Sequence, residues 1–226
     1  MGYPQNSHAN TQRDESHPSN RRNDNAPGNS SSDTGDHVRQ RSPSQQPQNS
    51  HSNEQMYILT LLTNEDLHVA MNDLRKKYFP PELNRLEAHI TLFHALPQSQ
   101  LESKVMPAID DLVQKTSPFR LGATTPFKLR KGIAIGMPKD HGGNTSRQVH
   151  RTLARRWQDF LSQQDQSFQA HFTIMNKVDE SERVDRAFQE IQNGWKPYFG
   201  TAEGLSLWKY HAGNWEFVKD FRFVTK

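Results

Sequence analysis

Apolar residues are sparse up to about Asn53 and then arrive in short bursts separated by polar and turn-forming stretches. Met56 to Leu62 is a brief, β-prone apolar run, which predicts a buried strand. Thr63 or Asn64 can cap the helix that follows. Its stripe is Leu67, Ala70, Met71, Leu74 and Tyr78, at three- and four-residue steps, with basic residues in the last turn and a stop at Pro80-Pro81. Ala88 to Leu96 predicts a second strand. Leu101, Val105, Ile109, Leu112 and Val113 predict a helix that Pro107 either interrupts or restarts. Phe119 to Leu129 and Ile133 to Met137 read as two strands joined by a turn at Arg130-Lys131-Gly132, with Pro126 marking an edge position or a bulge.

After the loop His141-Gly142-Gly143-Asn144, Thr145 or Ser146 can cap a helix with the stripe Val149, Leu153, Trp157, Phe160 and Leu161. Gln169 to Val178 is a further strand, Ser181 opens a helix that Asn193-Gly194 closes, and Ala202 to Tyr210 with Trp215 to Val224 form a final hairpin. Helices and strands alternate and the hairpin signals are strong. The expected fold class is therefore α/β or α+β with mixed or antiparallel sheets.

Composition divides the chain. Residues 1–54 are rich in Ser, Asn, Gln, Pro, His and Arg and hold too little apolar surface to offset the entropy of ordering, so a disordered polar tail is expected there. Residues 55–226 suit one domain of ordinary size. There is no cysteine. That rules out disulfides, thiolate catalysis and Cys-based metal sites, and fits an intracellular protein, cytoplasmic or nuclear. No secretory leader or membrane-spanning run is evident, and no membrane partner is expected. The net charge of +3 is compatible with a phosphate ligand and too small alone to argue for nucleic acid.

The chemistry lies in two matching tetrads, His89-Ile90-Thr91-Leu92 and His171-Phe172-Thr173-Ile174, each in a strand-like run. Alternate side chains of a strand share a face. His89, Thr91 and Phe93 should then point one way, as should His171, Thr173 and Met175, with apolar residues anchoring the other face. One histidine on a half-buried strand is more often structural, and strand threonines are ordinary β-formers; it is the pairing that argues for a site. Two imidazoles flanking a phosphodiester can act as base and acid in one in-line displacement, while threonine hydroxyls bind the non-bridging oxygens. No metal or cofactor is called for. A zinc reading through His89, His94 and His171 is weaker, since His94 faces away from His89 on a regular strand. Trp208, Tyr210 and Trp215 either line a rim of the site or close the last hairpin, the second being favoured, and His141, His150 and His211 are expected to be surface or structural residues.

Paired His-x-Thr-apolar motifs roughly eighty residues apart resemble the 2H phosphoesterase superfamily, which includes the 2′-5′ RNA ligase-like proteins and the 2′,3′-cyclic phosphodiesterases. The resemblance runs from about Gln55 to Lys226, with weaker support from Tyr57-Ile58-Leu59 and Gly204-Leu205-Ser206-Leu207. It implies an α+β fold of two pseudo-symmetric lobes, each a sheet with flanking helices, around a central cleft. It also implies metal-independent chemistry on a cyclic nucleotide or an RNA terminus, by a protein expected to be a monomer. Carried over residue by residue, His89 and His171 are the acid/base pair, with His171 as base and His89 as acid, and Thr91 and Thr173 hold phosphate. The alternative is an RNA-binding or RNA-processing module with little hydrolytic turnover, tethered by its tail. An RNA-processing exonuclease is disfavoured because that branch usually carries His-x-Ser.

Overall fold

The computed structural model describes residues 54–225, so the expected polar tail lies outside the described residues but for Glu54. The first predicted strand forms β1 (Met56–Thr63), and the striped helix forms α1 (Glu65–Tyr78), with Leu67 and Met71 buried and Arg75, Lys76 and Lys77 in its last turn. Asn64 occupies the N-cap position without capping. Its side-chain oxygen instead accepts from the backbone N–H of Thr201 at 2.7 Å and ties the start of the helix to a later strand. β2 (Ile90–Pro97) follows, then a short turn α2 (Gln98–Gln100), a widened π-helical turn over Leu101–Val105, and α3 (Met106–Lys115). Pro107 thus stands in the first turn of a restarted helix, where its missing N–H has no intrahelical partner to lose.

The long strand expected over Phe119–Leu129 is two strands. β3 (Phe119–Ala123) and β4 (Thr125–Leu129) part at Thr124 and belong to different sheets. β5 (Gly132–Gly136) pairs with β4 across the two-residue turn Arg130-Lys131. Gly132 is needed there, because a Cβ would run into the backbone carbonyl of Met175 on the neighbouring strand. α4 (Asn144–Trp157), β6 (His171–Met175), α5 (Ser181–Gly194) and the hairpin β7 (Tyr198–His211) with β8 (Asn214–Arg222) complete the chain. The β7–β8 turn is Ala212-Gly213 with both φ values positive, the conformation that matches the twist of a two-residue hairpin.

All strand pairs are antiparallel. One sheet runs β2-β1-β7-β3, with β8 also on β7, whose first half pairs with β3 and second half with β8. The other runs β4-β5-β6, placing Pro126 on an edge strand as its missing donor requires. The fold is α+β, and each motif lies on a strand at the end of its sheet, β2 in one and β6 in the other.

Both motif strands leave regular alternation at the same place. Between Thr91 and Phe93, β2 advances two residues while β1 advances one, so Leu92 is an extra residue. Between Thr173 and Met175, β6 does the same against β5, and Ile174 is extra. The bulge turns the next side chain inward. Phe93 and Met175 are therefore buried, against the expectation that they continue the polar face. Phe93 stacks on His150 (ring centroids 4.6 Å apart) and meets the edge of Trp157. His150 is a buried structural residue whose Nε2–H donates to the Asp165 carbonyl at 2.9 Å.

Candidate active site

His89 immediately precedes β2 and His171 opens β6. The two rings are held identically, Nδ1 of His89 to the Glu87 carbonyl at 2.7 Å and Nδ1 of His171 to the Gln169 carbonyl at 2.8 Å. A carbonyl can only accept, so each Nδ1 carries its hydrogen and each Nε2 is left for a ligand.

His89 and Thr173, one from each motif, line a common cavity of about 380 Å³ with Arg75, Arg85, Asn176 and Lys177. His89 and Phe172 line a second cavity of about 550 Å³ on the face of the larger sheet. His171 is near enough to His89 to be among the groups that lower its pKa. Thr91 lies opposite Thr60, which pairs with Ser206, which pairs with Asp220. Directly opposed residues share a face. These four polar side chains therefore form a row across the sheet, and Thr60, Ser206 and Asp220 line the larger cavity beside His89. Ser206 donates to Asp220 at 2.6 Å and the Trp208 indole N–H donates to Thr60 Oγ1 at 2.9 Å, which fixes the row.

Trp208 and Trp215 do more than close the hairpin. The Trp215 ring lies 4.4 Å from the His89 ring, Trp208 lies 6.3 Å from Trp215, and Phe217 meets Trp208 edge-on at 5.6 Å. They form an aromatic wall on one side of His89, while Phe127 meets His171 edge-on at 5.9 Å in the other sheet. The His89 ring keeps some solvent contact but is mostly enclosed. Burial lowers its pKa to about 4. The bond to Glu87 opposes that shift, and the charges of Arg75, His94 and His171 add to it.

Arg75 had the look of an ordinary basic residue in the last turn of a helix. It is 6% exposed and donates from Nε to Asn84 Oδ1 (2.8 Å) and the Leu86 carbonyl (2.9 Å), and from Nη1 to the Thr173 carbonyl (2.7 Å). It also stacks on Phe79. No local signal in the sequence marks it. Asp165, 1% exposed, accepts from the backbone N–H groups of His94 (2.7 Å) and Ala95 (3.1 Å) and from Ser162 Oγ (3.0 Å), holding β2 just past its bulge. His94 is exposed and its ring pairs with Asp165 at 3.1 Å rather than joining His89 and His171. Among the described residues no three His, Asp or Glu side chains gather as a metal site would require. Nor is any helix there long and apolar enough to cross a membrane.

Two antiparallel sheets, each carrying one His-x-Thr pair on an end strand, with His89 of one and Thr173 of the other lining a common cavity while Thr91 and His171 line neither cavity, define a two-lobed phosphoesterase-type fold. Residues 63–214 match the model of the 2′-5′ RNA ligase superfamily, and the chain belongs to that family. The motif-based resemblance to the 2H phosphoesterases therefore holds. Similar solved structures include E. coli LigT in apo form (13% identity, TM-score 0.53) and E. coli LigT complexed with 3′-AMP (15% identity, TM-score 0.51). A further one is a phosphoesterase (14% identity, TM-score 0.50). Each similarity covers 76% of this chain and 100% of the other, and at such identity each speaks to the fold alone. No curated protein matches the chain in sequence.

Proposed function

We propose that this protein is a metal-independent phosphodiesterase that opens 2′,3′-cyclic phosphates, or a related cyclic nucleotide or 2′-5′ linkage, on RNA ends or small nucleotides. The observation that carries the reading is the duplicated histidine: two rings, each pinned through Nδ1 to the carbonyl two residues back and each with Nε2 available, with His89 of one motif and Thr173 of the other lining one cavity. That LigT has been solved complexed with 3′-AMP and with ATP supports a nucleotide as the ligand.

One imidazole takes a proton from water as its oxygen attacks phosphorus. The P–O bond to one ribose oxygen breaks, and the other imidazole protonates that oxygen, leaving a phosphate monoester. Thr91 and Thr173 donate to the non-bridging oxygens as charge builds on them. Both proton transfers are supplied by the rings, so the chemistry needs no Lewis acid. With its pKa at about 4, His89 rests neutral near pH 7 and can accept a proton without prior rearrangement. This favours His89 as base and His171 as acid, the reverse of the order expected from the motifs.

The test is turnover of 2′,3′-cyclic nucleotides, ADP-ribose cyclic phosphate and 2′-5′-linked oligonucleotides in excess EDTA. His89→Ala and His171→Ala should each lose on the order of 10²–10⁴-fold. An aryl phosphodiester, whose leaving group needs no proton, should restore activity to His171→Ala and not to His89→Ala. The opposite rescue reverses the roles, and full turnover by either variant on the cyclic substrates would sink the reading. Salt-dependent RNA binding with no turnover of any substrate would point instead to an RNA-binding module.

A further inference from the structure

The cleft is electrically lopsided about His89. The larger cavity carries the carboxylates of Glu65, Glu87, Glu203 and Asp220 against the one cation Arg222, which pairs with Glu203, beside the aromatic wall of Trp208 and Phe217. The smaller carries Arg75, Arg85 and Lys177 beside Thr173. Some surface cations elsewhere are paired, as Lys77 with Glu190, Lys128 with Asp185 and Lys131 with Asp179, while others, Arg130, Lys139 and Lys196 among them, are exposed without a carboxylate partner among the described residues. Arg85 and Lys177 pair with no carboxylate among the described residues.

Arg75 is the sharper anomaly. It is a guanidinium more than nine-tenths buried whose partners are all neutral oxygens. Among the described residues its Nη2 makes no hydrogen bond. A charge withdrawn from water ordinarily has a counter-charge. Lys177 adds backbone strain, since it is a non-glycine residue at φ +60° two residues after β6, held by its own N–H donating to Asn176 Oδ1 at 2.8 Å. Strain of this kind persists only where the surroundings fix it, and it concentrates at ligand sites. The tip of the β7–β8 hairpin, at Gly213, forms the outer wall near the Arg85 guanidinium.

We propose that the cavity bounded by Arg75, Arg85 and Lys177 is a second anion subsite, which takes a phosphate of the substrate one nucleoside away from the phosphate under attack. This rests on the proposed phosphodiesterase reading and gives it a direction. The acidic, aromatic cavity receives the uncharged base and sugar, while the additional phosphate lies on the basic side. The preferred substrate therefore carries at least two phosphates, as a 5′-phosphorylated mononucleotide or as the end of an oligonucleotide.

The experiment compares adenosine 2′,3′-cyclic phosphate, its 5′-phosphorylated form and the dinucleotide with a terminal 2′,3′-cyclic phosphate, at one fixed ionic strength. The substrates with a second phosphate should show kcat/KM about tenfold higher, as expected for one charge-assisted contact. In Arg85→Ala and in Lys177→Asn that ratio should collapse towards one; asparagine is chosen because it tolerates the left-handed conformation. A gain with the dinucleotide alone supports the subsite and assigns it to an internucleotide phosphate; a gain with both admits a terminal 5′-phosphate. A ratio of one in the unmodified protein, or a ratio that both variants leave intact, overturns it. Should no cyclic substrate turn over, equilibrium titration with adenosine 3′,5′-bisphosphate against adenosine 3′-monophosphate separates the two ideas. Tighter binding of the bisphosphate, lost in the variants, keeps the subsite while the phosphodiesterase reading falls; equal binding removes the subsite as well.

Discussion

Arg75, on the helix after β1, donates through Nη1 to the backbone carbonyl of Thr173 in the second motif, at 2.7 Å. A residue near one motif thereby holds the strand that carries the other. Arg75→Met should destabilise the protein by about 3 kcal/mol, because three buried acceptors lose their donor. Arg75→Lys should rescue little, since one ammonium cannot reproduce the fork. Denaturant midpoints measure both. In Arg75→Met the pKa of His89 should rise from about 4, as a repelling charge has gone; NMR titration of the ring reads this directly.

Stability should depend on pH through His89. Its folded pKa of about 4 lies below the ordinary value of 6.5, so the unfolded chain binds the proton more readily between those values. Stability should fall as pH drops from 6.5 towards 4, and His89→Phe should flatten that part of the profile. An unchanged slope in the variant would place the titration elsewhere.

Asp165 contributes in the window below. Burial raises its pKa, but the hydrogen bonds from His94 and Ser162 outweigh this and hold it below the ordinary 3.8. Its stabilisation is therefore present above that value and is lost as pH falls through the lower folded one. Asp165→Ala, which strands the N–H groups of His94 and Ala95, should cost on the order of 2–4 kcal/mol and raise the midpoint of acid unfolding.

Phe93 and Trp215 should behave oppositely although both are aromatic neighbours of the first motif. Phe93→Ala should cost about 3–5 kcal/mol, as a core deletion between His150 and Trp157, with little change in nucleotide KM. Trp215→Ala should cost little stability, raise KM several-fold and lift the His89 pKa by opening the ring to water.

The elements legible in the sequence are those specified by local periodicity. The stripe from Leu67 to Tyr78, the two motif strands and the closing hairpin all stand where spacing placed them. His89, Thr91, His171 and Thr173 were legible because alternation plus repetition singles them out. What was hidden is non-local. Nothing around Thr124 says that the chain leaves one sheet for another, because sheet membership depends on distant partners. Arg75 looked like a dipole-complementing base because its three acceptors come from Asn84, Leu86 and Thr173. Trp208 and Trp215 could not be placed without the hairpin's register, which slips between Leu207 and Trp208. Alternation puts Phe93 on the polar face, where it could stack on a base, with a core role at least as expected; the core role holds, because a bulge that leaves no mark in a run of apolar letters turns it inward.

Those bulges divide each motif strand into two stretches under different selection by physics. Up to Thr91 and Thr173, the polar side chains His89, Thr91, His171 and Thr173 are judged by what they can give to or take from a ligand. At the next two positions a side chain is judged by volume, for Leu92, Phe93, Ile174 and Met175 are all buried. The extra residue acts as a slack joint between the two. The core behind the cleft can therefore exchange one apolar shape for another, adjusting past the joint, while both imidazoles stay where their backbone carbonyls hold them.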